Sequence, residues 1–510
     1  MSQFLYGRLL RHYRPASNGI TRREALMRTL AASAGLLLST SPVSARAAGA
    51  AGRKRVIVVG GGFGGLACAY ELTAAGYDVI LFEARSRFGG RVLSFNDLVN
   101  GKTVEGGGEL IGSNHPAWVS YANRFALELV AVTEDDKADV PVMLEGKKLD
   151  FKRVRELLDE MDDAYKTLNA AARKVNEDQP WKTRGAEALD AKNTGQWTAA
   201  LAVSDECRQL ICADLACNNA VAIDKQSYLG NLAQIKGGGV EKFWTDTEVL
   251  RCKGGNQQLA IRLAKAIGED RIRMTAVTEI AVKDTRVRVT GADGRVVEAD
   301  DAVLAVPPSV WNKIAIDPPL PPELKPQMGT SVKYLASVAS RFWSDANLSP
   351  GAHTNGDIGQ TWEGTNAQPG KEGAELTAFS GGPAAEACRA GPRERREAAY
   401  AKTLEVLFPG FGKHFVKSRF MDWPAEPLTG AGYSFPAPGQ IMTMGPILRN
   451  GIGRLHFAGE HACYKFTGYM EGALNSGAAL ARRLAERDGL VKPPAPPPPP
   501  PRHAEPSKEK

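Results

Sequence analysis

Three glycines and one carboxylate carry the first chemical signal in the chain. Gly60, Gly62 and Gly65 stand in a G-x-G-x-x-G array, and Glu83 follows about 20 residues further on. The spacing suits a phosphate-bearing dinucleotide. The first glycine allows a tight turn, the second lets backbone approach a pyrophosphate, and the third lets a helix pack closely on a strand. The free N–H groups and positive dipole end of the following helix attract phosphate, and a carboxylate at Glu83 is placed to accept from ribose hydroxyls.

Local elements must hold these groups in place. Val56-Ile57-Val58-Val59 is a β-branched run that predicts a buried parallel strand. The Ala- and Leu-rich stretch 66–75 predicts a helix, and Val79-Ile80-Leu81-Phe82 predicts a second strand ending at Glu83. Strand, glycine turn, helix, strand and acid follow one another in register, which an ordinary glycine-rich turn does not require.

The continuation Glu83-Ala84-Arg85-Ser86-Arg87-Phe88-Gly89-Gly90-Arg91-Val92 resembles the flavin-containing amine oxidase family. In that family the glycine pair turns the chain beneath the cofactor and the next arginine neutralises phosphate charge. The resemblance therefore implies FAD, held by Gly60, Gly62, Phe63, Gly64, Gly65, Glu83, Ala84, Arg85, Gly90 and Arg91. Three later stretches are similar to the same family. Val104-Glu105-Gly106-Gly107-Gly108-Glu109-Leu110-Ile111-Gly112 looks like the loop that runs along the flavin, which adds Gly107, Gly108, Glu109 and Leu110. The run 250–256 leads into a helix and then Val277, whose backbone would meet the adenine. Leu455-His456-Phe457-Ala458-Gly459-Glu460-His461 followed by Thr467-Gly468-Tyr469-Met470 adds Gly459, Glu460, Tyr469 and Met470. A helix opening there would aim its N-terminus at the flavin and favour negative charge on the reduced ring.

The resemblance also implies a chemistry: a hydride leaves the carbon beside an amine nitrogen for the flavin, and the resulting imine is hydrolysed. Lys333, in Met328-Gly329-Thr330-Ser331-Val332-Lys333-Tyr334, resembles the family lysine that holds a water against flavin N5. A buried ammonium there is costly unless paired. Tyr433 and Tyr469 fall where two aromatic rings flank the amine in monoamine oxidases, and Trp362 is a further candidate for that cavity. Two residues depart from the pattern. Gly432 stands where a tethering cysteine would be, so the FAD is expected to be non-covalent. Glu109, Leu110 and Ile111 stand where L-amino-acid oxidases carry an arginine for the substrate carboxylate, which leaves residues such as Arg341 to supply a clamp.

The expected architecture is α/β. A Rossmann-like FAD-binding domain (53–130, 251–315 and 425–489) is interleaved with an α+β substrate-binding domain (131–250 and 316–424). An amphipathic helix over 151–175 is expected to cover the active-site cavity. A composition of 43% hydrophobic and 24% charged residues is that of a globular protein. The net charge of +7 is concentrated: 1–47 hold seven arginines against Glu24 alone, leaving +1 for the rest, so a nucleic-acid role loses its support. Thr21-Arg22-Arg23-Glu24-Ala25-Leu26, a weakly apolar run and Ala45-Arg46-Ala47 resemble a twin-arginine signal peptide over 1–47. Periplasmic or secreted localisation follows, with no membrane span. The Pro-rich stretch 490–510 reads as a disordered tail. Seven cysteines, an odd number, do not form a fully paired framework, and Cys207, Cys212 and Cys217 lack zinc spacing, so no metal site is expected.

The leading expectation is thus an exported FAD-dependent amine oxidase acting on a small-molecule amine, with oxygen or a periplasmic acceptor taking the electrons. An L-amino-acid oxidase, a desaturase or porphyrinogen-type oxidoreductase, and a non-catalytic exported flavin-binding subunit stay open, as does oligomeric state.

Overall fold

The computed structural model describes residues 4–14, 53–132, 138–370 and 372–492. Arg22-Arg23, Ala45-Arg46-Ala47 and the tail from 493 lie outside the described residues.

The run at 56–59 becomes the central strand of a five-stranded parallel sheet. Arg55–Val59 lies between Asp78–Phe82 and Asp301–Leu304, with Ile272–Arg273 and Leu455–Phe457 at the two edges. Val56 to Val59 are buried on both faces, the pattern a parallel sheet covered by helices demands. The helix expected at 66–75 is Phe63–Ala74; it packs along Met470–Arg487 and against Gln257–Ile267 on one face of the sheet. A four-stranded sheet, Val296–Ala299, Val287–Gly291, Val277–Val282 and Ala315–Asp317, adjoins the other face through a shared apolar core.

A seven-stranded sheet forms the second layer. Its inner strand Ser331–Val338 pairs antiparallel with Ala374–Gly381 on one side and Phe415–Asp422 on the other. All eight residues of Ser331–Val338 are buried, so Lys333 sits inside the protein and not on an edge. The mixed α/β architecture expected from the sequence is the one observed.

Part of the expected leader lies among the described residues. The expected leader 1–47 overlaps an ordered helix, Leu5–Tyr13, that packs into the helical layer around Phe151–Ala172. Phe4, Leu5, Tyr6 and Leu9 are buried together with Trp244 and Tyr165. Burying side chains of this size contributes about 1.5–3 kcal/mol each. A basic, short apolar segment reads as a leader in sequence; its fit to a distant groove is visible only in three dimensions. Among the described residues no helix is long and apolar enough to cross a membrane.

Candidate active site

A long groove opens above the carboxyl ends of the parallel strands, where ligands of such sheets bind. Glu83 and Val277 line one end; Lys333, Tyr433 and Tyr469 line the other. The glycine turn connects them. Gly60 takes φ +113°, and a side chain there would press on the Ala305 carbonyl at 2.8 Å. A Cβ on Gly62 would meet nothing within 4 Å, because this position faces the groove itself. Gly62 also precedes the Phe63–Ala74 helix, whose first turn has no capping side chain, so its N–H groups are offered to a ligand. Glu83 accepts the Gly61 N–H and the Arg85 N–H, both at 2.7 Å, which fixes its carboxylate at the groove wall.

The floor is set by Arg91 and Glu460. Arg91 donates to the Gly432 carbonyl at 2.7 Å and to Glu460 at 3.0 Å. Glu460 also accepts from Ser434 Oγ at 2.6 Å and from the Gly468 N–H at 2.9 Å. Burial would raise its carboxyl, but Arg91 and these hydrogen bonds hold it below its usual value. Tyr469 is the N-cap of Met470–Arg487, so a second helix begins at the groove. The Tyr433 hydroxyl donates to the Asn218 carbonyl at 2.7 Å, and the Tyr469 ring meets His115 edge-on at 5.4 Å. Burial pushes both phenols well above their ordinary range, so they stand as neutral aromatic walls.

Lys333 enters from the second sheet. Its ammonium donates to the carbonyls of Glu105 (2.9 Å) and Gly107 (3.3 Å) and to Glu109 Oε2 (2.7 Å), and it lies 5.2 Å from the Trp362 ring centre. Three donors thus have three protein acceptors. Glu109, 1% exposed, is the hub. Its Oε1 also accepts from Arg251 Nε at 2.9 Å and from Trp362 Nε1 at 3.0 Å. Burial would raise this carboxyl too, but Lys333 and Arg251 hold it low.

Most of the expected cofactor positions line the groove: Gly60, Gly62, Phe63, Gly64, Glu83, Ala84, Arg85, Gly90, Arg91, Gly107, Gly108, Val277, Gly459, Glu460, Tyr469 and Met470. Three do not. Gly65 lies behind it, where a Cβ would sit 1.9 Å from the Gly60 carbonyl oxygen, so its place is the helix–strand contact. Glu109 and Leu110 are buried beyond the groove wall, because the loop turns inward after Gly108 and delivers the Glu109 carboxylate to Lys333 and Arg251. Arg341 faces Glu363 at 2.6 Å, beside a separate cavity, and is not part of the groove. Trp362 sits in a small core with Phe379 and Cys217. The Phe151–Ala172 helix packs on its helical neighbours and contributes nothing to the groove wall, contrary to its expected covering role. Sequence reasoning missed Trp423, which lines the groove and donates to the Gly106 carbonyl at 3.0 Å, and Thr429, which binds Arg85 at 2.8 Å. Neither belongs to a local motif that could have flagged it. Among the described residues no cluster of His, Cys, Asp or Glu is arranged for a metal ion.

These residues fit FAD: an open cradle at Gly62, two helix N-termini along one groove, a fixed carboxylate at one end and aromatic walls at the other. Comparison with known proteins agrees. Human flavin-containing amine oxidase B is 28% identical over 465 residues, covering 86% of this chain and 87% of its own. An L-amino acid dehydrogenase of Synechocystis is 26% identical over 462 residues, covering 84% and 94%. Cyclohexylamine oxidase from Brevibacterium oxydans superposes with a TM-score of 0.77 at 26% identity, over 86% of this chain and all of the other. Putrescine oxidase with bound putrescine has the same fold, at a TM-score of 0.78 and 24% identity, over 85% and 99% of the two chains. The model of the family of flavin containing amine oxidoreductases matches residues 63–485. The chain therefore belongs to that family, whose members use FAD to oxidise amines.

Proposed function

We propose that the site oxidises a small amine at the carbon next to nitrogen, releasing an imine that water hydrolyses. The observation that carries this reading is the convergence of Tyr433, Tyr469 and Lys333 on one end of the FAD groove. FAD, when bound, supplies the hydride acceptor and passes the electrons to oxygen or another acceptor. The protein does the rest. Tyr469, buried, and Tyr433, partly buried, present two aromatic faces that orient the neutral amine and exclude water. The N-terminus of Met470–Arg487 opens at the groove and would favour negative charge on a flavin held there. Lys333 places its ammonium at the same end of the groove, held by Glu109.

The geometry favours an amine over an amino acid. Arg85 and Arg91, which line the groove, are paired with Glu426 and Glu460; Arg251 and Arg341 are engaged with Glu109 and Glu363. Each of these candidate carboxylate clamps already holds a carboxylate. Peroxide release tested on monoamines, diamines and L-amino acids decides this: amines should turn over and amino acids should not, and a preference for L-amino acids would overturn the reading. None of the seven cysteines lines the groove, which supports non-covalent FAD. Acid precipitation should leave the flavin in the supernatant. The twin-arginine motif supports export to the periplasm or beyond, by a route that carries folded, cofactor-loaded proteins. Arg22→Lys combined with Arg23→Lys should retain the protein in the cytoplasm, and unchanged export would refute that route.

A further inference from the structure

The N-terminal helix Leu5–Tyr13 precedes the twin-arginine motif, yet it is built into the fold. Phe4 packs against Phe243 and Trp244, each at 5.2 Å between ring centres, and Tyr6 against Tyr165 at 4.6 Å. The Tyr6 hydroxyl donates to Asp162 at 2.6 Å, Tyr13 to the Phe151 carbonyl at 3.2 Å, and Arg14 pairs with Asp162 at 3.3 Å. Gly7 is the point of closest approach: a Cβ there would lie 2.0 Å from the Trp244 carbonyl oxygen.

Two further contacts point toward the active site. The Leu5 N–H donates to Asp214 at 3.1 Å. Asp214 accepts from Asn218 Nδ2 at 2.9 Å, and the Asn218 carbonyl accepts the Tyr433 hydroxyl at 2.7 Å. On the other side, Arg8, 2% exposed, donates to the Thr361 carbonyl at 3.3 Å. Thr361 precedes Trp362, which donates to Glu109, the partner of Lys333. One helix therefore contacts both the Gln360–Glu363 strand, which carries the Trp362 partner of Glu109, and the helix whose last turn accepts the Tyr433 hydroxyl.

We propose that residues 4–14 are a working part of the enzyme. The groove between Phe151–Ala172, Asp205–Asn219 and Glu241–Asp246 is a docking site whose occupant is the chain's own N-terminal helix. This segment stays in place whether or not the chain is cut between it and the body. The docking is independent of the substrate assignment, and a failed amine assay would leave it standing; the bracing role, read by kcat/KM, rests on the proposed amine oxidation.

The test uses the full-length, FAD-loaded protein with a specific protease site inserted between residues 15 and 52. After cutting, gel filtration should bring the N-terminal peptide off the column with the yellow protein at a one-to-one ratio. A peptide that elutes separately overturns the proposal. Gly7→Val, which wedges the helix off Trp244 without substituting any residue that lines the FAD groove, gives the second readout. It should leave the bound-flavin spectrum intact and lower kcat/KM about tenfold, a milder form of the ~100-fold loss that a displacement of 1 Å can cause. Wild-type kcat/KM in a Gly7→Val protein whose cut peptide is released would show that the helix is dispensable and overturn the bracing role.

Discussion

Glu109→Gln tests the buried charge cluster more sharply than any other single change. The carboxamide keeps the shape of the side chain and removes its charge. In the wild type one carboxylate faces two cations, Lys333 at 2.7 Å and Arg251 at 2.8 Å. At an effective dielectric of about 20, the 2.7 Å pair alone carries roughly 6 kcal/mol of attraction. Much of that is offset by desolvation, and removing one partner of such a buried pair costs about 3–5 kcal/mol, because the remaining charge is left uncompensated. For a chain of this length the unfolding entropy is about 1 kcal/mol per degree, so Tm should fall by about 3–5 °C. Lys333→Met should cost less, since Glu109 keeps Arg251 and Trp362 as donors. The double variant should be more stable than Glu109→Gln alone, because it removes one of the two stranded cations. The assay is thermal unfolding of all four proteins at pH 6. At that pH the nearby carboxyls of Glu105 and Glu375, which burial raises to about 7 and about 8 with the Glu109 charge adding to both, are largely neutral in the wild type. A Glu109→Gln protein as stable as wild type, or a double variant less stable than either single one, would refute the ion-pair reasoning.

Three other outcomes follow from the same geometry. Gly62→Val should yield a folded, colourless protein, since the new side chain would point into the open cradle; a yellow Gly62→Val protein would count against that placement. Glu83→Ala removes the acceptor for the Gly61 and Arg85 N–H groups and should weaken FAD retention at least about tenfold on gel filtration, consistent with two lost charge-assisted hydrogen bonds. Burial lifts the Glu375 carboxyl from 4.5 to about 8, with Glu109 adding to the rise. Its folded-state value lies above its unfolded one, so its stabilising share is complete below about 4.5 and is lost as pH rises through about 8. Tm should therefore decline across that window, and Glu375→Gln should flatten the decline; identical pH profiles would show that Glu375 does not titrate there.

How legible the site is in the sequence depends on how local its parts are. The turn at Gly60 and the helix behind it are specified within a few residues: backbone freedom and close packing demand those glycines whatever the rest of the chain does. The opening of Met470–Arg487 beside Tyr469 is equally local. The partners of Glu109 are not. Lys333 lies 224 residues away and Arg251 142, on different strands, and no periodicity links them. An inward-turning loop therefore reads, in sequence, as another stretch of cofactor contact. Trp423 and Thr429 escape notice for the same reason. The N-terminal helix is hidden differently: its composition is that of a leader, and only the apolar groove around Trp244 and Tyr165 shows where its Phe4, Tyr6 and Leu9 belong.

The central claim, amine oxidation at the tyrosine-lined end of an FAD groove, is tested most directly by the visible spectrum of the purified protein, followed without oxygen as amines are added one at a time. The structure predicts a yellow protein whose flavin band is bleached by at least one class of amine. Bleaching should be slower in Lys333→Met, with FAD still bound. A yellow protein that no amine bleaches would contradict the assignment of Tyr433, Tyr469 and Lys333 to amine chemistry.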